Sequence, residues 1–158
     1  MSVTPDEFRS ALGRFPSGVT VVTTKAADGS DEGMTVSAFC SVSLEPPLVL
    51  ICIEKTATVH DALTLAPSFL VNVLSAKQEQ IARRFSTVDI DRFEGVGFSR
   101  SANGIAVLDD VLAVIECNRS ALHEAGDHTI IIGEVEAVRS ESGTPLLYYR
   151  GGYAQLEH

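Results

Sequence analysis

Residues 33–56 form a stretch whose side chains could bind a phosphate group and a planar polar ring. After the apolar run 48–53 the stretch ends in Lys55 and Thr56, and four more hydroxyl residues come earlier in it, namely Thr35, Ser37, Ser41 and Ser43. Hydroxyls, backbone N–H groups and an ammonium are suitable donors for phosphate oxygens and ring carbonyls. The same residues are equally typical of a hydroxyl-rich edge strand followed by a buried strand, with no ligand.

A second candidate for chemistry is His128, which directly follows Gly126-Asp127 at the start of an apolar alternating run. A neutral imidazole both donates and accepts hydrogen bonds, so it can orient a polar ligand; the alternative is a turn histidine with no such role. His123, Glu124 and Asp127 lie close to His128 in the sequence. Their spacing matches no known metal-binding pattern, and we predict no metal site.

Other catalytic motifs are not supported. Gly95-Val96-Gly97 begins like a dinucleotide-binding fingerprint, but Arg100 stands at the position of the third glycine. No strand-to-helix pattern surrounds these glycines. The sequence contains no phosphate-binding loop of the GxxxxGK type, no zinc-binding HExxH and no GxSxG turn.

Composition limits the class of protein. The 158 residues predict one domain, 1–158, which is long enough to form a hydrophobic core. With 12 basic and 21 acidic side chains the net charge is −9, which argues against a nucleic-acid or membrane-surface partner. The first residues lack the pattern of a signal peptide, and we expect a cytoplasmic protein. Cys40, Cys52 and Cys117 show no paired spacing and lie in strand-like runs, so we expect buried free thiols.

The elements that would position these residues are mostly strands. Thr4-Pro5 predicts a helix start, and two more short helices are predicted at 58–65 and 77–85. The strands are predicted at 19–24, 32–43, 48–53, 69–74, 111–123, 128–140 and 143–150, with a long loop at 86–104. Asp28-Gly29 indicates a tight hairpin turn after the first strand. Several strands joined by turns, with few helices, favour a mainly β protein built as an antiparallel barrel.

The order of these motifs resembles the flavin reductase-like family. The resemblance begins with GMTVSAFCSVSLEPPL at 33–48 and extends over nearly the whole chain. The further matching segments, in family order, are FPSGVTVVT at 15–23, FLVNVL at 69–74, FS at 85–86, DRF at 91–93, GDHTIIIGEV at 126–135 and PLLYYRGGY at 145–153.

The resemblance implies a six-stranded antiparallel split β-barrel with short flanking helices, assembled as a homodimer. It also implies an NAD(P)H:flavin oxidoreductase that reduces FMN or FAD by hydride transfer from NADH or NADPH. Such proteins commonly supply reduced flavin to a partner flavin-dependent monooxygenase.

The resemblance further implies which residues form the site. His128 matches the histidine that lies near the nicotinamide. The cofactor-binding candidates are Thr35, Val36, Ser37, Ala38, Phe39, Cys40, Glu54, Lys55, Thr56, Arg84, Phe85 and Tyr153. Lys55 and Arg84 are the cations expected near the flavin phosphate, and Arg83 could replace Arg84 in that role.

Two other functions remain open from the sequence. One is a non-catalytic flavin-binding or electron-transfer protein on the same barrel, which would bind flavin without accelerating its reduction. The other is a barrel that binds a different small ligand and no flavin. Flavin binding and NAD(P)H oxidation measured together distinguish all three.

Overall fold

The computed structural model describes residues 2–157 and has three short helices and twelve strands in that range. The helices are α1 (Pro5–Leu12), α2 (His60–Leu65) and α3 (Glu79–Arg84). The strands are β1 (Ser17–Gly18), β2 (Thr20–Lys25), β3 (Asp31–Val36), β4 (Phe39–Ser43), β5 (Leu48–Glu54), β6 (Ser68–Val73), β7 (Phe98–Arg100), β8 (Ala106–Leu108), β9 (Ala113–Ala125), β10 (His128–Ser140), β11 (Leu146–Tyr149) and β12 (Gly152–Gln155).

The main sheet is antiparallel and has the strand order β3-β2-β6-β9-β10-β5-β4. Its two edge strands, β3 and β4, follow one another in the sequence and are joined by Ser37 and Ala38 alone. Because two residues span at most about 7 Å, the sheet must curl until its edges meet. Within residues 2–157 no ladder pairs β3 with β4. We call this unpaired meeting of the two edges the seam.

The strand predicted at 32–43 is therefore wrong as a single element. It is divided at the seam into β3 and β4, which pair with β2 and β5 at opposite edges of the sheet. The hydroxyl-rich pattern could not show this division, because both halves have strand-like composition. The mainly β, antiparallel class with short helices is confirmed. The main sheet has seven strands where six were predicted, because the predicted strand 32–43 forms two of them, β3 and β4.

Two hydrophobic clusters cover the two faces of the sheet. Val22, Phe69 and Ile131 belong to one cluster, and Val21 and Leu70 belong to the other. This assignment follows from the alternation of side chains along β2 and β6. The first cluster also contains Leu63 of α2, and the second contains Ala82 of α3 together with residues of β8 and β11. Helices α2 and α3 therefore pack against opposite faces of the sheet.

The rest of the topology agrees with the predictions in part. The long hairpin β9-β10 and the hairpin turn at Gly29 are confirmed. The segment 86–104, predicted as a loop, contains β7, which pairs with β8. A single last strand was predicted at 143–150. The structure has β11 in this range and a further strand, β12, after it, and both form a small sheet with β1.

The first helix starts as predicted, because Thr4 Oγ1 accepts a hydrogen bond from Glu7 N at 3.1 Å and Pro5 opens the helix. None of its residues, 5–12, is buried. Phe8 and Leu12 are more than half exposed, and so is Phe15 just beyond it. Among residues 2–157 no helix has the length and apolar character needed to cross a membrane. Both ends of the predicted domain 1–158 lie outside the described residues.

Gly133 packs tightly against two core side chains inside the barrel. A Cβ at this position would lie 2.6 Å from Phe69 Cζ and 2.9 Å from Cys117 Cβ. We predict that Gly133→Ala lowers the free energy of unfolding by about 1–3 kcal/mol, as overpacking of a core does. Urea denaturation of the purified protein measures this difference.

Gly18 is the matched control, because it is also a strand glycine but has no atom within 4 Å of an added Cβ. Gly18→Ala should change the free energy of unfolding by less than about 0.5 kcal/mol. Equal stabilities of the Gly133→Ala variant and the unmodified protein would show that the barrel interior is not packed as described.

Candidate functional site

The residues that connect the two edge strands are exposed at the seam. Ser37 and Ala38 are exposed, and so is Cys40 in β4. The connection is held on both sides, because Thr20 Oγ1 donates to Val36 O at 2.6 Å and Cys52 N donates to Ala38 O at 3.0 Å. Within residues 2–157 the N–H groups of Ser37 and Ala38 donate to no acceptor. The seam therefore offers two backbone donors to a ligand.

Strand β5 links this connection to the other predicted residues. Ala38 lies opposite Cys52 at one point of β5, and Glu54 pairs with His128 of β10 two residues further along. Two residues of strand correspond to about 7 Å. The exposed connection, the turn Glu54–Thr56 and His128 thus lie at neighbouring positions of the β4-β5-β10 ladder.

The turn after β5 is fixed by its backbone. Lys55 N donates to Asp127 O at 2.9 Å, and Ala57 N donates to Glu54 O at 3.0 Å. The Lys55 ammonium lies 3.7 Å from Glu124 Oε1, and the Glu124 side chain is 87% exposed. Such an exposed ion pair contributes only about 0–1 kcal/mol, so an anionic ligand can compete for the ammonium.

The ring of His128 is oriented by its neighbour in the sequence. His128 Nδ1 lies 2.7 Å from Asp127 Oδ1. This hydrogen bond lowers the pKa of the Asp127 carboxyl below its ordinary value. Because an ionised carboxylate only accepts, Nδ1 of His128 carries the proton, and Nε2 of the neutral ring is left as an acceptor.

Three of the predicted residues have their groups engaged in the fold. Thr35 Oγ1 donates to Ala82 O at 2.6 Å and Thr35 N donates to Phe85 O at 3.2 Å, which ties β3 to the end of α3. The Val36 side chain is buried in the barrel core. The Phe85 ring is fully buried and packs edge-on against Phe93. A contact of the Phe85 ring with a ligand is therefore not available in this structure.

The two candidate cations of α3 have different surroundings. Arg84 donates from Nε to Arg92 O at 2.8 Å and from Nη2 to Asp91 O at 2.6 Å, so it holds the following loop. The Arg83 side chain is 62% exposed, pairs with Glu79, and lies 5.0 Å from the centre of the Tyr153 ring. Arg83 is thus the more available of the two, and its contact places Tyr153 beside α3.

The cysteines are free, as predicted, but they are not all buried. Cys117 is buried, and burial raises the pKa of its thiol to about 12. Cys52 is partly exposed, and burial also raises the pKa of its thiol. The predicted burial is wrong for Cys40, because edge strand β4 leaves it exposed beside Ala38.

The sequence analysis missed His60, which begins α2 and contacts β10. Its Nε2 lies 2.8 Å from Thr129 Oγ1 and its Nδ1 lies 3.0 Å from Asp61 Oδ1, with 16% of the side chain exposed. The contact joins α2 to the strand position next to His128. Only the pairing of β5 with β10 brings these residues together, so no sequence signal could have found it.

Neither of the two larger cavities contains Ser37, Lys55 or His128. One, of about 1100 Å³, lies between the start of α3 and the loop 141–144. The other, of about 330 Å³, lies between β3 and the loops that precede α2 and follow α3. Ser37 and Lys55 are exposed and His128 is partly exposed, so these three residues lie on open surface outside both cavities. Residues 2–157 contain no group of three His, Cys, Asp or Glu side chains that could hold a metal ion.

Comparison with known proteins agrees with this geometry. The family model for the flavin reductase like domain matches residues 12–157. The chain belongs to this family. A flavin reductase (NADH) of Kitasatospora aureofaciens is 46% identical over 154 residues, which cover 95% of this chain and 81% of that protein.

Two further proteins indicate the range of the family. The reductase subunit HsaB of a flavin-dependent monooxygenase of Mycobacterium tuberculosis is 38% identical over 158 residues, covering 98% of this chain and 84% of HsaB. The NADH:FAD oxidoreductase SgcE6 of Streptomyces globisporus, solved in complex with NAD and FAD fragments, is 38% identical with a TM-score of 0.92. That alignment covers 99% of this chain and 97% of SgcE6.

Proposed function

We propose that this protein transfers a hydride from NADH or NADPH to a flavin, FMN or FAD, held at the seam of the barrel. The observation that carries the proposal is the placement of the exposed Ser37–Ala38 connection, the Glu54–Thr56 turn and His128 on adjacent positions of β4, β5 and β10. Family membership and the activities for which the relatives are named support the same reaction.

The flavin ring fits the connection. The free N–H groups of Ser37 and Ala38 suit the carbonyl oxygens of an isoalloxazine ring, and fixed backbone donors stabilise the negative charge that the ring gains on reduction. When bound, the flavin supplies the hydride-accepting chemistry, and the chain contributes only binding and orientation. Tyr153 and Arg83 contact each other beside α3, the helix to which Thr35 of β3 is bound.

The flavin phosphate fits the turn after β5. Lys55 supplies an ammonium and Thr56 an exposed hydroxyl, on a turn that is anchored by the bond from Lys55 N to Asp127 O, just before β10. The net charge of the chain is −9, so a local cation is needed to hold an anion. Lys55 is the cation nearest to the exposed connection along β5.

His128 is placed to orient the nicotinamide. With Nδ1 held by Asp127, its Nε2 can accept a hydrogen bond from the carboxamide N–H of a nicotinamide. We therefore assign His128 to the nicotinamide, and Asp127 is the residue that positions its ring.

We further propose that reduced flavin passes to a partner flavin-dependent monooxygenase; the relative HsaB is named as the reductase subunit of such an enzyme. A homodimer in the cytoplasm is also part of the proposal. The exposed side chains of Phe8, Leu12 and Phe15 supply apolar surface for a second copy. The free cysteines are in keeping with a reducing compartment.

The experiment that tests the reaction is NADH and NADPH oxidation, assayed with FMN, FAD and riboflavin in turn. We expect oxidation well above that of free flavin. Flavin binding without this acceleration would assign a carrier function, and absence of flavin binding would assign a different ligand.

Removal of the Lys55 ammonium should weaken binding of the phosphate. A hydrogen bond to a charged group contributes about 1.5–3 kcal/mol, so FMN should bind the unmodified protein about tenfold to more than a hundredfold more tightly than riboflavin. Lys55→Ala should reduce this difference in affinity between FMN and riboflavin. Quenching of flavin fluorescence measures both dissociation constants.

Lys77→Ala is the control, because Lys77 is an exposed lysine beside the other, larger cavity. It should leave the FMN-to-riboflavin ratio unchanged. Equal affinities of the unmodified protein for FMN and riboflavin would disprove the phosphate assignment.

Removal of His128 should impair use of the nicotinamide and spare the flavin. We predict that His128→Ala lowers kcat/KM for NAD(P)H by about ten- to a hundredfold, or ~1.4–2.7 kcal/mol, because a misplaced donor loses transition-state stabilisation. The flavin Kd should change by less than about threefold, or ~0.7 kcal/mol. Steady-state kinetics and flavin titration measure the two effects.

His123→Ala is the matched control, since His123 is an exposed histidine of the same hairpin. Its kinetics should be those of the unmodified protein. Weaker flavin binding with normal nicotinamide kinetics in His128→Ala would move His128 to the flavin side, and no change in either would leave it a turn residue.

A further inference from the structure

Helix α2 begins with a side chain that binds back to strand β10 beside His128. His60 Nε2 lies 2.8 Å from Thr129 Oγ1, and His60 Nδ1 lies 3.0 Å from Asp61 Oδ1. Because a carboxylate only accepts hydrogen bonds, Nδ1 of the neutral His60 ring carries the proton and Nε2 accepts from the Thr129 hydroxyl. Thr129 is 6% exposed and the His60 side chain is 16% exposed, so little water competes for this bond.

The bond closes a loop that contains the turn after β5. At one end of the loop Glu54 pairs with His128, and at the other end His60 binds Thr129, the next residue of β10. Residues 55–59 therefore leave the β5-β10 ladder and return to it at adjacent positions of β10. Both ends of this segment are thus fixed to the same strand.

Within the loop the backbone forms two consecutive hydrogen-bonded turns. Ala57 N donates to Glu54 O at 3.0 Å, and His60 N donates to Ala57 O at 3.0 Å. Lys55 and Thr56, which the proposed function assigns to the flavin phosphate, are exposed on the first turn. Because the two turns share Ala57, the position of His60 determines where the first turn lies relative to β10.

The rest of α2 is held in place without His60. Val59 and Leu63 are buried in one hydrophobic cluster of the core. At the other end of the helix Arg119 Nη1 donates to Thr64 O at 2.9 Å. Loss of the His60 bond therefore loosens the turns before the helix and leaves the helix itself packed on the sheet.

We propose that His60 and Thr129 are positioning residues for the flavin phosphate, because their bond holds the turn that carries Lys55 and Thr56. The inference rests on the proposed function. A turn that is fixed before the anion binds loses less conformational freedom on binding, so fixing it raises affinity. The gain applies to a flavin that carries a phosphate, and riboflavin, which has none, should not share it.

The test separates the hydroxyl of Thr129 from the volume of its side chain. Thr129→Val keeps a β-branched side chain suited to a strand but removes the donor to His60, whereas Thr129→Ser keeps the hydroxyl. Quenching of flavin fluorescence gives the FMN-to-riboflavin affinity ratio. The ratio should fall about three- to tenfold in Thr129→Val and in His60→Ala, and stay within about twofold in Thr129→Ser, as expected for the net effect of one hydrogen bond.

Amide hydrogen exchange of the free protein, measured by NMR, is a second readout that needs no flavin. The amides of Ala57 and His60 close the two turns, so they should exchange about three- to tenfold faster in Thr129→Val than in the unmodified protein. Arg119→Ala is the matched control, because it removes the bond at the other end of α2. It should lower the free energy of unfolding but leave the affinity ratio and these two exchange rates unchanged.

The outcomes separate positioning from general support of the fold. A lower affinity ratio in Thr129→Val and His60→Ala, restored in Thr129→Ser, supports the inference. A merely structural role of the pair predicts lower stability with an unchanged ratio in both variants, and this result would overturn the inference while leaving the proposed function intact. Equal affinities of the unmodified protein for FMN and riboflavin would refute the phosphate site itself, and the inference with it.

Discussion

The constraint on which the site depends is the short connection between the two edges of the main sheet. Edge strands normally leave unpaired backbone groups, which proteins cover or pair. Here β3 and β4 are brought together by Ser37 and Ala38 but form no ladder within residues 2–157. The connection is anchored through Val36 O and Ala38 O, while the N–H groups of both connecting residues remain free. The curling of the sheet thus creates binding donors on rigid backbone.

The same curling determines what surrounds these donors. Strand β5 carries the Ala38 contact at one point and the Glu54–His128 pair further along, so a flavin ring, its phosphate and a nicotinamide would meet fixed groups on one ladder. Thr35 ties β3 to α3, Arg84 ties α3 to the next loop, and Arg92 ties that loop back to β3. Packing of Phe69 against Gly133 keeps the barrel interior close enough for this geometry. The proposed function therefore depends on backbone placement more than on reactive side chains.

Local sequence signals predicted most elements and the order of the strands in the chain. Asp28-Gly29 marked the first hairpin and Thr4-Pro5 the first helix, because turns and caps are local. The division of the stretch 32–43, the exposure of Cys40 and the contact of His60 with Thr129 depend on which strands become neighbours, which no local pattern encodes. The candidate site residues followed from motif resemblance, and tertiary packing shows why Phe85 and Val36 serve the core.

The central claim, that flavin binds along the seam, is tested most directly by amide hydrogen exchange measured by mass spectrometry with and without FMN. The free N–H groups of Ser37 and Ala38 should exchange fast in the free protein and become protected with FMN, together with the turn 54–57. Peptides covering the loop 141–144, beside the larger cavity, should not change. Protection at 141–144 with no protection at 35–40 would contradict the account.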